Sequence, residues 1–153
     1  MLEIEHKYLV ADFSFRDIAS NSVRIRQGYL TRSQECVVRI RIKGSDKAFI
    51  TVKGKTHSEG SLHTDVRAEY EYPIPVADAV EMLALCSGKI IDKTRWLVPF
   101  SGYLWEVDEF HGAHEGLVIA EIEVGSPDDK YPLPPFVGEE VTGDPRYYNS
   151  NLT

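Results

Sequence analysis

Leu2-Glu3-Ile4-Glu5-His6-Lys7-Tyr8-Leu9-Val10 decides how the chain is read. Charged and bulkier residues alternate through it: Glu3, Glu5 and Lys7 take one parity, Ile4, His6 and Tyr8 the other. Alternate residues of a β-strand share a face, so two carboxylates and an ammonium project to one side. The carboxylates then stand roughly 7 Å apart. At an effective dielectric of about 20 their repulsion is about 2 kcal/mol. Water relaxes that cost on an exposed strand, whereas a bound divalent cation reverses its sign. A single strand of this kind reads most simply as a solvated edge. Recurrence of the pattern along the chain argues for something else.

Working outward, residues 22–31 place Arg24 and Arg26 on one face and Val23 and Ile25 on the other. Residues 35–43 align Arg39, Arg41 and Lys43 against Val38, Ile40 and Ile42, and Gly44-Ser45-Asp46-Lys47 supplies a hairpin turn. Residues 48–53 put Phe49, Thr51 and Lys53 together, and 67–72 align Arg67, Glu69 and Glu71. Residues 89–98, 102–110 and 116–124 carry Lys93/Arg95, Glu106/Asp108 and Glu121/Glu123. The polar, glycine-bearing stretch 54–62 reads as a loop. Val76, Ala79, Val80, Leu83 and Ala84 recur at helical spacing, which predicts one main amphipathic helix over 76–86, ended by Ser87-Gly88. From Pro127 the chain reads as irregular, with one short helix. Some eight strands joined mostly by short turns predict a mainly β (α+β) fold on an antiparallel sheet, in a single domain spanning 1–153.

The charges are sorted by strand. Acidic pairs at i, i+2 are Glu3/Glu5, Glu69/Glu71, Glu106/Asp108 and Glu121/Glu123; basic pairs are Arg24/Arg26, Arg39/Arg41 and Lys93/Arg95. Ordinary surfaces intersperse the two signs and accept Ser, Thr, Gln or Asn as readily. The economical arrangement is a closed barrel whose charged faces line the bore, with the apolar alternates facing outward beneath the helix and loops. Such a lumen is stable only where acids meet bases, metals or bound anions. The reading is therefore a tunnel for a highly charged anion together with divalent cations.

Composition bounds the alternatives. A 153-residue chain with 42% hydrophobic residues buries a sizeable core unaided. A formal charge of −7 argues against a general nucleic-acid binder. Cys36 and Cys86 lack metal-ligand spacing and read as free thiols. There is no signal-like apolar region and no run of membrane-spanning length, so the expectation is a soluble cytoplasmic protein, monomer or homodimer, with no membrane or nucleic-acid partner. Oxygen-only carboxylate pairs suit Mg²⁺ or Mn²⁺, and facing Arg and Lys suit phosphates. Together these are the ingredients of phosphoryl transfer. No GxxxxGK[ST] or GxGxxG segment is present, so any polyphosphate site must be built from side chains.

Glu3-Ile-Glu-His-Lys7 resembles the ExExK signature of the CYTH superfamily, the triphosphate tunnel metalloenzymes. The similarity continues in family order through Gln27-Gly-Tyr-Leu30, Arg39-Ile-Arg41, Thr51-Val-Lys53, Arg67-Ala-Glu-Tyr-Glu71, Lys93-Thr-Arg95, Trp105-Glu-Val-Asp-Glu-Phe110 and Ala120-Glu-Ile-Glu123. The resemblance implies an eight-stranded antiparallel tunnel that binds triphosphate substrates with Mg²⁺ or Mn²⁺. The short chain looks like the compact bacterial branch, with inorganic triphosphatase activity. It implies metal contacts from Glu3, Glu5, Glu121 and Glu123, with Glu69, Glu71, Glu106 and Asp108 as further ligands. It implies phosphate contacts from Lys7, Arg39, Arg41, Lys53, Lys93 and Arg95, with Lys7, Arg41 and Lys93 the catalytic candidates. Class IV adenylate cyclase and thiamine triphosphatase are the enzymatic alternatives, and a polyphosphate or nucleotide sensor is the non-enzymatic one. The pattern around Arg24 and Arg26 is looser, and they stand outside the ligand set. Trp105 reads as core and Tyr29 as packing. His6 faces away from the charged parity of its strand. Tyr147, Tyr148 and Asn149 are expected over one tunnel end.

Overall fold

The computed structural model describes residues 2–33, 35–55, 57–59 and 64–152. The elements run β1 (Leu2–Val10), α1 (Phe15–Ile18), β2 (Asn21–Arg32), β3 (Cys36–Lys43), β4 (Lys47–Gly54), β5 (His57–Glu59), β6 (Thr64–Ile74), α2 (Val76–Leu85), β7 (Ser87–Phe100), β8 (Tyr103–Phe110), β9 (Val118–Glu123) and β10 (Val137–Glu140). Eight strands close a ring in the order β1–β9–β8–β7–β2–β3–β4–β6, and β6 returns to β1 from Leu2↔Ala68 to Glu5↔Asp65. All pairings are antiparallel. The expected barrel is the observed architecture. β5 continues the rail of β4 alongside β6, and β10 takes the edge of β1 at Tyr8 and Val10, beyond the reach of β6. Both edges left by the ring are thereby covered.

Local chemistry accounts for the connections. Between β7 and β8, Ser101 and Gly102 both adopt positive φ, 50° and 82°, as a tight turn matching strand twist requires. Pro75 stands at the N-cap of α2, and Cys86 closes its last turn by donating to the Leu83 carbonyl. Four details differ from the sequence reading. β7 begins at Ser87 instead of after a break, because Ser87 already pairs with Tyr29. β5 lies inside the stretch expected as a loop. β10 and α1 arise where no periodicity announces them, because four residues are too few to show one.

The apolar alternates face outward, as parity requires. Tyr8, Trp105, Val107, Ala120 and Ile122 form the outer surface of β1, β8 and β9, covered by Phe15 of α1 and by Phe136. Ile40, Ile42 and Ala48 form the outer surface of β3 and β4, covered by Ala79 and its neighbours on α2. Full burial of such side chains contributes about 1.5–3 kcal/mol each, so these two outer cores carry the stability that the polar bore does not. A third cluster has lumen parity: Tyr29, Ile91, Phe110 and Ile119, packed with Tyr147 and Leu152, stop one end of the bore. The barrel is a cup.

Candidate active site

Within the cup lies a cavity of about 460 Å³. Each ring strand contributes to its wall through one parity. β1 supplies Glu5 and Lys7; β3 supplies Val37, Arg39, Arg41 and Lys43; β4 supplies Lys53. β6 supplies Arg67, Glu69 and Glu71; β7, β8 and β9 supply Arg95, Glu106, and Glu121 with Glu123. Tyr29, Tyr148 and Asn149 complete it. Among the described residues, seven cationic side chains thus stand against six carboxylates on one wall. Pairing across strands explains how they meet: Glu5 lies opposite Glu123, Lys7 opposite Glu121, Lys53 opposite Glu69, and Glu106 opposite Glu121.

The contacts are specific. Lys7 Nζ lies 3.7 Å from Glu121. Arg39 donates to Thr51 Oγ1 at 3.1 Å and reaches Glu71 at 3.5 Å, and Thr51 donates to the same carboxylate at 3.0 Å. Arg39 Nε is buried without a hydrogen-bond partner, a donor still available to an anion. Arg95 donates to Asp108 through Nε at 2.8 Å and Nη2 at 2.9 Å, and to Glu106 at 3.2 Å. Lys93 donates to Asp108 at 2.6 Å. Lys93 and Asp108 are absent from the wall; they lie beneath it, with side chains 0% and 1% exposed. The C-terminal segment reaches in from one end: Lys7 Nζ donates to the Tyr147 carbonyl at 3.2 Å, and Lys93 Nζ to Asn149 Oδ1 at 3.2 Å.

Burial and neighbours set the ionisation. Burial pushes Arg41 down to about 9, with Arg39 and Arg95 adding to the effect. Burial, then Arg41 and Arg95, also lower Lys43. Burial opposes the charge on Glu121, but Lys7, Arg95 and Lys93 together outweigh it and the carboxyl falls to about 2. Asp108 serves two cations. Although burial disfavours its charge, Arg95 and Lys93 hold it well below the usual carboxylate range, and Arg95 is raised in return despite its own burial. Lys93 is the surplus cation of that trio. Burial pushes it down to about 7, with Arg95 and Arg41 acting against the pull of Asp108. The disagreement in direction between Lys93 and Arg95 follows from geometry, since Arg95 grips both carboxylate oxygens and Lys93 one.

A lowered Lys93 has a measurable consequence. Between about pH 7 and its unfolded value of 10.5 the unfolded chain binds the extra proton, so stability rises with pH across that window. Lys93→Met, which keeps the volume and leaves Arg95 on Asp108, is expected to raise the urea midpoint at pH 7. The gain should shrink as pH rises towards 10. A variant less stable than the parent at pH 7 contradicts this account.

The structure brings together Glu5, Lys7, Arg39, Arg41, Lys53, Glu69, Glu71, Arg95, Glu106, Glu121 and Glu123 around one cavity, and sets Lys93 and Asp108 just under its surface. The Glu3 side chain falls outside the described residues; its backbone pairs with Arg67 in the closing seam. Arg24 and Arg26 point outward, Arg24 to Asp92 at 2.5 Å. On β2 the inward parity belongs instead to Gln27 and Tyr29, which escape a search for charge pairs. Lys43, aligned with Arg39 and Arg41 by parity but outside the expected phosphate ligands, also lines the cavity. His6 does face away, against Glu140 at 3.2 Å, and Trp105 is fully buried.

Comparison with known proteins places this geometry. The CYTH domain model matches residues 1–148. An inorganic triphosphatase of Acetivibrio thermocellus is 45% identical over 151 residues, covering 98% of this chain and 92% of that protein. One from Nitrosomonas europaea is 38% identical over 156 residues, covering 99% and 97%. The crystal structure of an inorganic triphosphatase superposes with a TM-score of 0.66 at 34% identity, covering 98% of this chain and 93% of that one. With a matching domain over nearly its full length and a ring of charged strands turned inward, the chain belongs to the CYTH domain family.

Proposed function

We propose that this chain is a metal-dependent inorganic triphosphatase that cleaves a terminal phosphoanhydride of tripolyphosphate inside the cup. The observation that carries the reading is the wall itself: seven cations and six carboxylates around about 460 Å³. Tripolyphosphate brings about four negative charges near neutral pH. With it bound, the site carries a surplus of negative charge that divalent cations offset. The relatives named above are inorganic triphosphatases along nearly their whole length, which supports the same assignment. Among the described lining residues only Val37, Tyr29 and Tyr148 offer apolar surface, little for an adenine or thiazolium group to rest on. That favours the bare polyphosphate over a nucleotide or thiamine ester.

The donor set fits a hard cation. Glu5 and Glu123 are direct cross-strand partners on the wall, and every anionic donor is a carboxylate. Among the described residues no three His, Cys, Asp or Glu converge as a cage made of protein alone. Mg²⁺ commonly takes one or two carboxylates and completes its shell with waters and substrate phosphates. Glu5 and Glu123, with Glu121 beside Lys7 and with Glu3 from the same strand parity, would hold Mg²⁺ or Mn²⁺. When bound, the ion offsets phosphoryl charge and acidifies water. Glu69 and Glu71 on β6, and Glu106 across from Glu121, each lie near a cation that they help to orient. Asp108 is committed to Arg95 and Lys93, so we assign it to holding those cations and not to the metal.

The chain's own residues then divide the work. Arg39 and Arg41 grip phosphate oxygens, while Arg95, its fork held by Asp108 and Glu106, adds charge together with Lys7 and Lys53. Arg39 offers its unpartnered Nε. Lys93 sits under Asn149 and acts from below, its charge favoured once an anion arrives. Positioning and charge neutralisation supply most of the catalysis in such transfers.

The decisive assay is phosphate release from tripolyphosphate, pyrophosphate, ATP and thiamine triphosphate with Mg²⁺ or Mn²⁺, and cyclic AMP measured in parallel. A two-phosphate substrate leaves at least one charge-assisted contact unmade, typically about 1.5–3 kcal/mol, hence roughly tenfold or more in rate. Tripolyphosphate is therefore expected to exceed pyrophosphate at least tenfold in kcat/KM, and Arg41→Ala to narrow that gap. Equal rates on the two would overturn the triphosphate reading, and cyclic AMP as main product from ATP would favour a cyclase.

A further inference from the structure

Arg41 differs from its neighbours in the partner it has been given. Arg39 reaches Glu71, Arg95 holds Asp108 and Glu106, and Lys7 lies beside Glu121. Arg41 instead donates from Nε to the amide oxygen of Gln27 at 2.8 Å. Among the described residues it makes no ion pair with a carboxylate, although the residue is only 5% exposed. A buried cation with a neutral partner is expensive to keep. Its charge is left for something absent from the protein.

Gln27 is itself fully buried, and both ends of its amide are engaged. Oε1 accepts from Arg41, and Nε2 donates to the Tyr29 hydroxyl at 3.1 Å. The orientation is forced, because Arg Nε can only donate and so must face the amide oxygen. The backbone enforces it too. Gln27 lies directly across from Arg41, and Tyr29 across from Arg39. Between them Gly28 is pressed against the outer layer, where a Cβ would stand 2.7 Å from Ile90 Cδ1 and 3.0 Å from Cys86 Cβ. β2 has no room to roll, so Gln27 stays turned into the bore. An acid at this position would make the same contact with a charge and quench the guanidinium. An apolar residue would leave Nε without an acceptor. The amide alone fixes the fork while leaving its charge and both Nη groups for a phosphate.

We propose that Gln27 is the positioning residue of the site, holding Arg41 through a neutral contact so that its charge stays uncompensated until the phosphate chain binds. The inference rests on the triphosphatase reading for its substrate. Its test is a double-mutant cycle on the full chain with Gln27→Met, Gln27→Glu, Arg41→Ala and the pair Gln27→Met/Arg41→Ala. Each variant is measured for kcat and KM on tripolyphosphate with Mg²⁺, and for the rise in Tm that added tripolyphosphate produces. Gln27→Met is expected to lower kcat/KM about tenfold. The pair should fall no further than Arg41→Ala alone, because the same interaction has been removed twice. Gln27→Glu should raise KM about tenfold or more while keeping the fold, and should shrink the tripolyphosphate-induced rise in Tm. Losses that multiply in the pair, or a Gln27→Glu variant with parental KM and Tm rise, would overturn the proposal. Should Gln27→Met fail to fold, the near-isosteric Gln27→Glu decides it. A parent that is stabilised by tripolyphosphate but does not hydrolyse it would sink the triphosphatase reading, and the Tm series would still decide the role of Gln27.

Discussion

Asp108→Asn is expected to cost about 3–5 kcal/mol of stability, the usual penalty for leaving buried charge unpaired. The carboxylate is 1% exposed and accepts from Lys93 at 2.6 Å and from Arg95 at 2.8 and 2.9 Å. Asparagine keeps the size but loses the charge, and its NH₂ end must face one of two cations that only donate. Marginal stabilities are about 5–15 kcal/mol, so the loss consumes much of the total. The sign with pH follows from the carboxyl's depressed value. A depressed acid contributes fully above its unfolded pKa of about 4 and loses that contribution as pH falls below it. Urea melts should therefore show the full deficit from pH 5 to 8, shrinking in more acidic buffer. Adding Lys93→Met should recover part of it, since one orphaned cation is then gone. A deficit under about 1 kcal/mol at pH 7 would contradict the shared-carboxylate account.

Glu5→Gln is the complementary case, expected to spare the fold and abolish turnover. Glu5 lies on the wall opposite Glu123, and glutamine keeps its size and its ability to hydrogen-bond, so the fold should be retained. The same change weakens the proposed cation site, and charge stabilisation there is worth several kcal/mol. At 1.36 kcal/mol per decade this is about hundredfold or more in kcat/KM. The dependence on Mg²⁺ should move to higher concentration, and EDTA should silence the parent enzyme. Full activity of Glu5→Gln at low Mg²⁺ would contradict the role given to Glu5.

What the sequence disclosed, and what it hid, follows from the physics of a pleated strand. Period-two alternation around Glu3, Glu5 and Lys7, and sign sorting from Arg39 to Glu123, imply a closed ring with charge inside, and the ring is there. Parity names two faces but does not say which is inner. For Arg24 and Arg26 the charged face is the outer one, because Gln27 and Tyr29 on the other parity are needed within. Gln27 belongs to a stretch that carries the resemblance, but a neutral amide shows no charge alternation, so its inward role was not legible. The depth of Lys93 and Asp108 was hidden too. Spacing placed them in the bore but carried no sign of their depth, nor of Asn149, which reaches Lys93 from the far end of the chain. α1 and β10 are held by what they cover, and their four residues each hold no signal of their own.

The seam that closes the ring also sets the order in which the protein can form. β1 precedes every strand it pairs with: β6 begins at Thr64, β9 at Val118 and β10 at Val137. During synthesis it must wait for residues 65–68 of β6 and, on its other side, for β9 at 118–123, while β2, β3 and β4 zip together locally. Pairings this distant in sequence make folding slow, and until β9 and β6 clasp β1 the nascent sheet has raw edges exposed to other chains. The β1–β9 seam, where Glu5 meets Glu123 and Lys7 meets Glu121, is thus the last to close, and no complete ring of charge exists before the fold is whole.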